Sequence, residues 1–481
     1  MKNIFAILSI FLVNIIYAQK IDVSFSSNFK DAILETSKLV MDCGENSKYH
    51  YFLFSSDENY LAAKKIRLVA FRKDNSEYAF DYEIKGFNSN SPEYEKIVKP
   101  MILNEVKVYE NTIYIIMTPT GSNTISFYVQ SLSAELNLKK EITNVYEIPS
   151  YHFNKRNLTF LRDKSKTPDE NLLILETTWD ASTKKTIYKP HLLDPTLNLK
   201  KCPEVSFDYK EYYFGAFIYT PENVMRRYNY AKGELFFIYE DESKNNPIRS
   251  IVKLNIKTGE QSQLKLLVNH EIKMLSVEYG HDSLFIHGNA ISQYNNQDLK
   301  FFLKTINVSN FEEVKTEEGS IKIPENYSEK SYYNFDRFIT ADNRTILCYQ
   351  FYKTGTDLQT TADVLSISSI YQDQISNDVI DLSPGMRAIN KCSFINGNRS
   401  EFNLFYTLAG LSNDITPNIC TIHNSTNYQV TDLAQLFQKE YSQYIITLKS
   451  NNFWACDNKI YFLAEKENQV FMGKITINPG Q

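Results

Sequence analysis

From residue 20 onward the chain is a succession of short apolar runs separated by Asn, Asp, Lys and Ser. Residues 112–117 (TIYIIM), 172–176 (LLILE), 235–239 (LFFIY) and 460–463 (IYFL) are examples. Runs of this length, rich in Ile, Leu, Phe and Tyr, predict strands buried on both faces. Two stretches with stricter alternation, 125–132 and 186–193, each run into the same pentapeptide, LNLKK, at 136–140 and 197–201. An echo of that kind points to a structural repeat. In the same register, strand ends fall at Phe71, Leu132, Leu193, Leu254, Ile306, Ile367, Ile422 and Ile477, a period of about 58 residues, on the scale of propeller repeats. A polar residue follows several of them: Asp194, Asn255, Asn307, Ser368, His423 and Asn478. A second marker, a polar turn opening a buried strand, precedes most strand ends at Asn111, Gly233, Asp282, Asn343 and Asn458.

Each module therefore reads as four antiparallel strands, and an array of such modules is an all-β fold, the β-propeller. The last module lacks an outer strand after Ile477, while residues 21–25 form a strand with no module of its own. Pairing that strand onto the last module closes the ring and leaves no open sheet edge. The expectation is one domain over 19–481 with eight four-stranded blades closed by the N-terminal strand. Seven blades with a flanking hairpin is the alternative. One helix is expected over 432–441, with Thr431 as its N-cap.

Composition changes the picture in a few places. Gly is only 15 residues of 481, about 3% against a usual 7% or so. The turns must then draw on Asn and Asp, as at Asp74-Asn75, Asn396-Gly397 and Asp457-Asn458, because these residues tolerate the left-handed conformation. A net charge of −5 and a pI near 5.9 speak against a nucleic-acid partner. With 43% hydrophobic and 23% charged residues the chain is globular and not disordered.

The N-terminus carries one positive charge at Lys2, an apolar run over 4–16 too short to span a bilayer, and a small residue, Ala18, before Gln19. This is the layout of a signal peptide over 1–18. It predicts a secreted or periplasmic protein with no transmembrane segment once the signal is removed. Disulfides are permitted in such a location. Of the six cysteines, Cys43 and Cys456 hold equivalent places in the first and last modules, which makes them a possible staple across the closure. Cysteine and histidine spacing offers no metal site, and no cofactor motif is present.

The candidate chemistry is sparse. GxSxG, HExxH, P-loop and GxGxxG motifs are missing, and Trp179-Asp180 is a lone WD pair. The oxygen-rich stretch from Asp163 to Asn171 lacks the central Gly of a calcium loop and carries two lysines, so it reads as a solvated turn. His281 and His287 flank a turn and do not read as a metal pair. Arginines on inner strands are the pattern of most interest. Arg227 and Arg337 each precede a turn by five residues, Arg156 and Arg387 fall near the corresponding strand starts, and Tyr332 accompanies them. Guanidinium groups suit bidentate binding of carboxylates, so these five residues form a candidate ligand site at the mouth of the central channel. Asp57, Glu58, Asp180, Asp241, Glu242, Tyr294 and Asp357 lie on loops of one face, where two carboxylates could act as an acid/base pair.

The Lys2-Asn3 start, the Tyr17-Ala18-Gln19 end of the leader and the repeated strands together resemble exported β-propeller proteins of Bacteroidetes, flavobacteria above all. The Asn, Lys, Ile, Tyr and Phe bias is similar to that of AT-rich genomes. The resemblance implies a fold and an address, and carries no catalytic residue. Two functions follow as expectations: a non-catalytic scaffold that binds a protein or glycan through one face, or a polysaccharide-active hydrolase or lyase at the channel mouth.

Overall fold

The computed structural model describes residues 20–33, 38–57, 65–84, 101–119, 124–149, 156–165, 168–180, 182–208, 228–241, 248–266, 274–280, 282–291, 298–322, 332–339, 345–354, 360–371, 374–381, 388–397, 401–409, 415–423, 427–449, 452–456 and 458–478. Within them the chain is an antiparallel β-propeller. In the first sheet, strands Lys38–Glu45, Tyr49–Ser55, Ile66–Arg72 and Tyr78–Glu83 follow one another in space as in sequence. The next four sheets repeat this order over 101–149, 156–207, 229–265 and 274–322, the sheet over 156–207 with a fifth short strand, Val205–Phe207.

Eight separate modules were expected, and seven sheets are found. Residues 332–432 form a single eight-stranded sheet. Its two four-stranded halves are joined where Thr360–Tyr371 meets Ala388–Gly397 through the pair Ala362↔Ile389. The repeat spacing marks strand ends but is blind to a hydrogen-bonded join between neighbouring modules, so the count follows the seven-unit alternative.

The seventh sheet closes the ring. Lys20–Phe25 pairs antiparallel with Gln469–Asn478, from Lys20↔Asn478 to Phe25↔Gly473. The segment that follows stays on the same strand: Ser26 N–H donates to Met472 O, and Phe29 N–H to Val470 O, each at 3.0 Å. Phe29 and Ile33 then enter the apolar cluster between the last and first sheets, with Phe52, Phe54, Phe71, Leu463 and Met472. Phe25 stacks on Tyr444 with ring centroids 3.9 Å apart.

Strand alternation explains why the second strands are apolar throughout. Leu172 and Ile174 pack toward the second sheet, whereas Leu173 and Leu175 pack toward the fourth. Side chains of successive residues point to opposite faces, and here both faces meet a neighbour. First strands of neighbouring sheets also lie against each other, as Lys38–Glu45 does with Met101–Val108 and with Phe453–Cys456. They are the inner edges of the ring.

The polar residues after the strand ends shape the outer turns. Asp194 Oδ1 accepts the N–H groups of Thr196 and Asn198, Ser133 Oγ those of Glu135 and Asn137, and Asn255 Oδ1 those of Lys257 and Thr258. Such side chains imitate backbone acceptors and fix the turn. The left-handed residue of these turns is often not Asn or Asp. Leu136, Leu197 and Phe311 hold φ of 60°, 63° and 55°, and all three are buried. Burial of an apolar side chain offsets the conformational cost, which is of order 1–2 kcal/mol. Gly259 takes the left-handed position in the Asn255 turn, with φ of 79°, and other glycines lie under aromatic rings: Gly288 faces Phe302 and Gly473 faces Phe462 across the ladder, where an added Cβ would enter the ring.

The helix, α1 (Leu433–Glu440), begins one residue later than expected and is capped by Asp432, not Thr431. Asp432 accepts from the Ala434 and Gln435 N–H groups. Its carboxylate competes better than a threonine hydroxyl for the exposed N–H groups of the first turn.

Candidate functional site

Of the five residues expected at the channel mouth, three fall on first strands. Arg156 opens Arg156–Leu161 opposite Thr178. Tyr332 and Arg337 lie on Tyr332–Ile339 opposite Phe351 and Leu347. Their side chains, and the whole of Arg227 and Arg387, lie outside the described residues. So do Glu58, Glu242, Tyr294, Asp357 and His281. Cys43 is a free thiol packed on the cluster between the first and second sheets, and the Cys456 side chain lies outside the described residues.

The inner edges nevertheless gather a set of charged side chains that the sequence pattern does not single out. Strand Met101–Val108 contributes Glu105 and Lys107, whose carboxylate and ammonium are 2.6 Å apart. In the third sheet, Leu158 and Phe160 face the second sheet, and alternation carries Arg162 to the same side. Its guanidinium lies 5.6 Å from the Tyr109 ring centroid, a cation–π contact. No carboxylate among the described residues pairs with it. Lys164, two positions on, donates through Nζ to Asn229 Oδ1 at 2.8 Å, and Glu278 of the fifth sheet is exposed.

These groups feel one another. Burial lowers the Lys164 pKa below its usual 10.5, Glu278 opposes the shift, and Lys107 reinforces it. Yet the Lys164 side chain remains exposed to solvent. Asn229 is fully buried and holds the arrangement. Its Nδ2 donates to Val277 O at 2.9 Å, and its Oδ1 accepts the Tyr279 N–H at 3.2 Å.

The turns beside this set stitch consecutive sheets together. Asn46 donates to Glu110 O. Glu170 accepts the Asn111 N–H at 2.7 Å and the Thr112 hydroxyl at 2.6 Å. Asp163, expected on a solvated turn, is buried and accepts the backbone N–H groups of Ser165 and Lys232. The turn residues face a neighbouring sheet, and a buried carboxylate must find donors there.

Farther out, between the second and third sheets, three titratable groups meet. The Tyr146 hydroxyl bonds to Glu176 Oε2 and lies 3.1 Å from His191 Nε2. Lys189 Nζ is 3.9 Å from Glu176 Oε1. Glu176 and His191 are both buried, and His191 Nδ1 has no partner among the described residues and no contact with solvent. Burial lowers the His191 pKa below 6.5, with Glu176 opposing the shift and Lys201 and Lys189 adding to it. Strand pairing alone creates this group: its members are 15 to 45 residues apart and share no local motif.

Asp180 serves its own turn. The hydroxyls of Ser182 and Thr183, with their backbone N–H groups, hold its carboxyl down to about 2. That removes it as a proton donor near neutral pH. Among the described residues no cluster of three or more His, Cys, Asp or Glu could hold a metal ion, and no helix is long and apolar enough to cross a membrane.

No protein-family model matches the sequence, and no curated protein matches it. Among solved structures, the chain is similar to the WD40 domain of SCAP from fission yeast, with 8% identity, a TM-score of 0.41, and coverage of 95% of this chain and 98% of that one. It is similar to an ulvan lyase, a polysaccharide lyase, bound to -[GlcA(1-4)Rha3S]-, with 8% identity, a TM-score of 0.41, and coverage of 93% and 95%. It is also similar to the β-propeller domain of the trilobed protease from Pyrococcus furiosus, with 11% identity, a TM-score of 0.35, and coverage of 79% and 96%.

Proposed function

We propose that the chain is an exported β-propeller scaffold that binds a protein or glycan through one face and does no chemistry on it. The observation that carries this reading is the inner-edge set of Lys107, Arg162, Lys164 and Glu278, contributed by the second, third and fifth sheets. Neighbouring turns stitched sheet to sheet give it a stiff frame. A preorganised polar surface of this kind favours binding because few side chains must be ordered when the partner arrives. The leader over 1–18 and a secreted or periplasmic location are included in the proposal, as is a bacteroidete origin.

The alternative, a polysaccharide-active hydrolase or lyase, draws on Tyr146, Glu176 and His191, where a hydroxyl lies between a carboxylate and an imidazole. The burial of Glu176 and His191 argues for a structural role, since a general base must reach its substrate. Glycan-array and pull-down binding, followed by turnover assays on every hit, tests the proposal. Binding without product formation is expected, and turnover of any bound glycan overturns it.

A further inference from the structure

We infer that the inner-edge cations at the junction of the second, third and fourth sheets form a subsite for the carboxylate of an acidic glycan. The inference rests on the scaffold reading and gives it a ligand class. Arg162 is half-buried, its guanidinium is oriented by the Tyr109 ring, and no carboxylate among the described residues pairs with it. The Tyr109 hydroxyl is itself fixed, donating to Asn171 O at 3.1 Å. Among the described residues Lys164 spends one hydrogen bond, on Asn229, of the three donors an ammonium has. Two other charges nearby are committed: Lys107 pairs with Glu105, and Asp163 caps backbone N–H groups. Arg162, with no carboxylate partner among the described residues, and Lys164, which feels both Glu278 and Lys107, offer charge-assisted hydrogen bonds to an anion.

The surroundings favour a sugar acid over an acidic peptide. Glu278 is exposed near Lys164, and Glu105 lies on the neighbouring inner strand. Carboxylates so close repel further negative charge, yet they accept hydroxyl donors, which an acidic peptide chain lacks and a sugar acid carries. A uronate residue presents one carboxylate among several hydroxyls, which matches two available cations flanked by carboxylates.

The test is titration calorimetry of the full-length mature protein with oligogalacturonate, with the same oligomer reduced at its carboxyls, and with oligoglutamate. Wild type should bind the first, and binding should weaken as salt rises. The reduced oligomer should bind at least about tenfold more weakly, and R162Q and K164Q should each lose about tenfold, in line with one charge-assisted bond. Melting curves of both variants should match wild type, which separates loss of the site from loss of the fold. Equal binding of the reduced oligomer, unchanged affinity in both variants, tighter binding of oligoglutamate, or no binding of the uronate overturns the inference. In the last case, capture of another glycan or a protein leaves the scaffold reading intact. Turnover of oligogalacturonate defeats the scaffold reading and leaves the subsite standing.

Discussion

The seam that closes the ring and the seam between the second and third sheets solve one packing problem with different chemistry. At the closure, the segment from Lys20 to Ile33 completes the last sheet and then inserts Phe29 and Ile33 between the last sheet and the first. Between the second and third sheets no extra segment intervenes among the described residues. Tyr109, Tyr114, Ile116 and Ile174 fill the interior, and Tyr146, Glu176 and His191 form a polar contact beside them. Apolar burial is tolerant of direction, whereas a buried carboxylate and imidazole demand particular partners. The closure, made by residues far apart in sequence, adds the tolerant chemistry to its strand ladder, with Ser26 Oγ and Asn28 Oδ1 accepting the Met472 and Val470 N–H groups. The seam between consecutive modules uses the demanding one.

The sharpest way to break this contrast is at the closure. Phe29→Ala should cost about 3–5 kcal/mol, as for a buried phenylalanine, read from urea unfolding of the mature chain. A change below about 1 kcal/mol would show that Phe29 does not hold the seam. Next comes Glu176→Ala, which removes the buried carboxylate from the Tyr146 hydroxyl and leaves its contact with His191. A loss of about 1–3 kcal/mol is expected, and Tyr146→Phe should cost less, about 1 kcal/mol.

The pH dependence of stability sharpens the comparison further. His191 is neutral in the folded protein because burial lowers its pKa, while the unfolded chain takes up a proton near pH 6.5. The unfolded state therefore binds more protons as pH falls below about 6.5. Stability is lost on acidification through that value until the folded imidazole protonates in turn. His191→Gln should flatten this portion of the curve relative to wild type, and identical pH profiles would refute the assignment. The smallest effect is expected at an outer turn, where Asp194→Ala should cost about 1 kcal/mol and leave both seams unchanged.

Much of this arrangement is legible in the sequence, for identifiable reasons. The polar residues after Leu132, Leu193, Leu254 and Ile306 stand out because their side chains make local hydrogen bonds, and local chemistry leaves a local mark. The closing strand is legible from an unpaired strand at one end and a missing one at the other. The left-handed conformation of Leu136, Leu197 and Phe311 is not, since it is sustained by tertiary burial that no turn preference encodes. Position near a strand start points to Arg156 and misses Arg162, whose parity with Leu158 and Phe160 is the better signal. The Tyr146–Glu176–His191 contact has no sequence signal of this kind, because strand register alone brings its members together.

The pair Lys20↔Asn478 has a mechanical meaning. These two residues sit opposite each other at the same end of one antiparallel ladder, so a pull applied between them would load the first pair alone. The ladder would then open rung by rung, like a zipper, and would not resist as a sheared sheet does. A ring closed in this way can hold against heat and denaturant and still open under a modest tug at that one point.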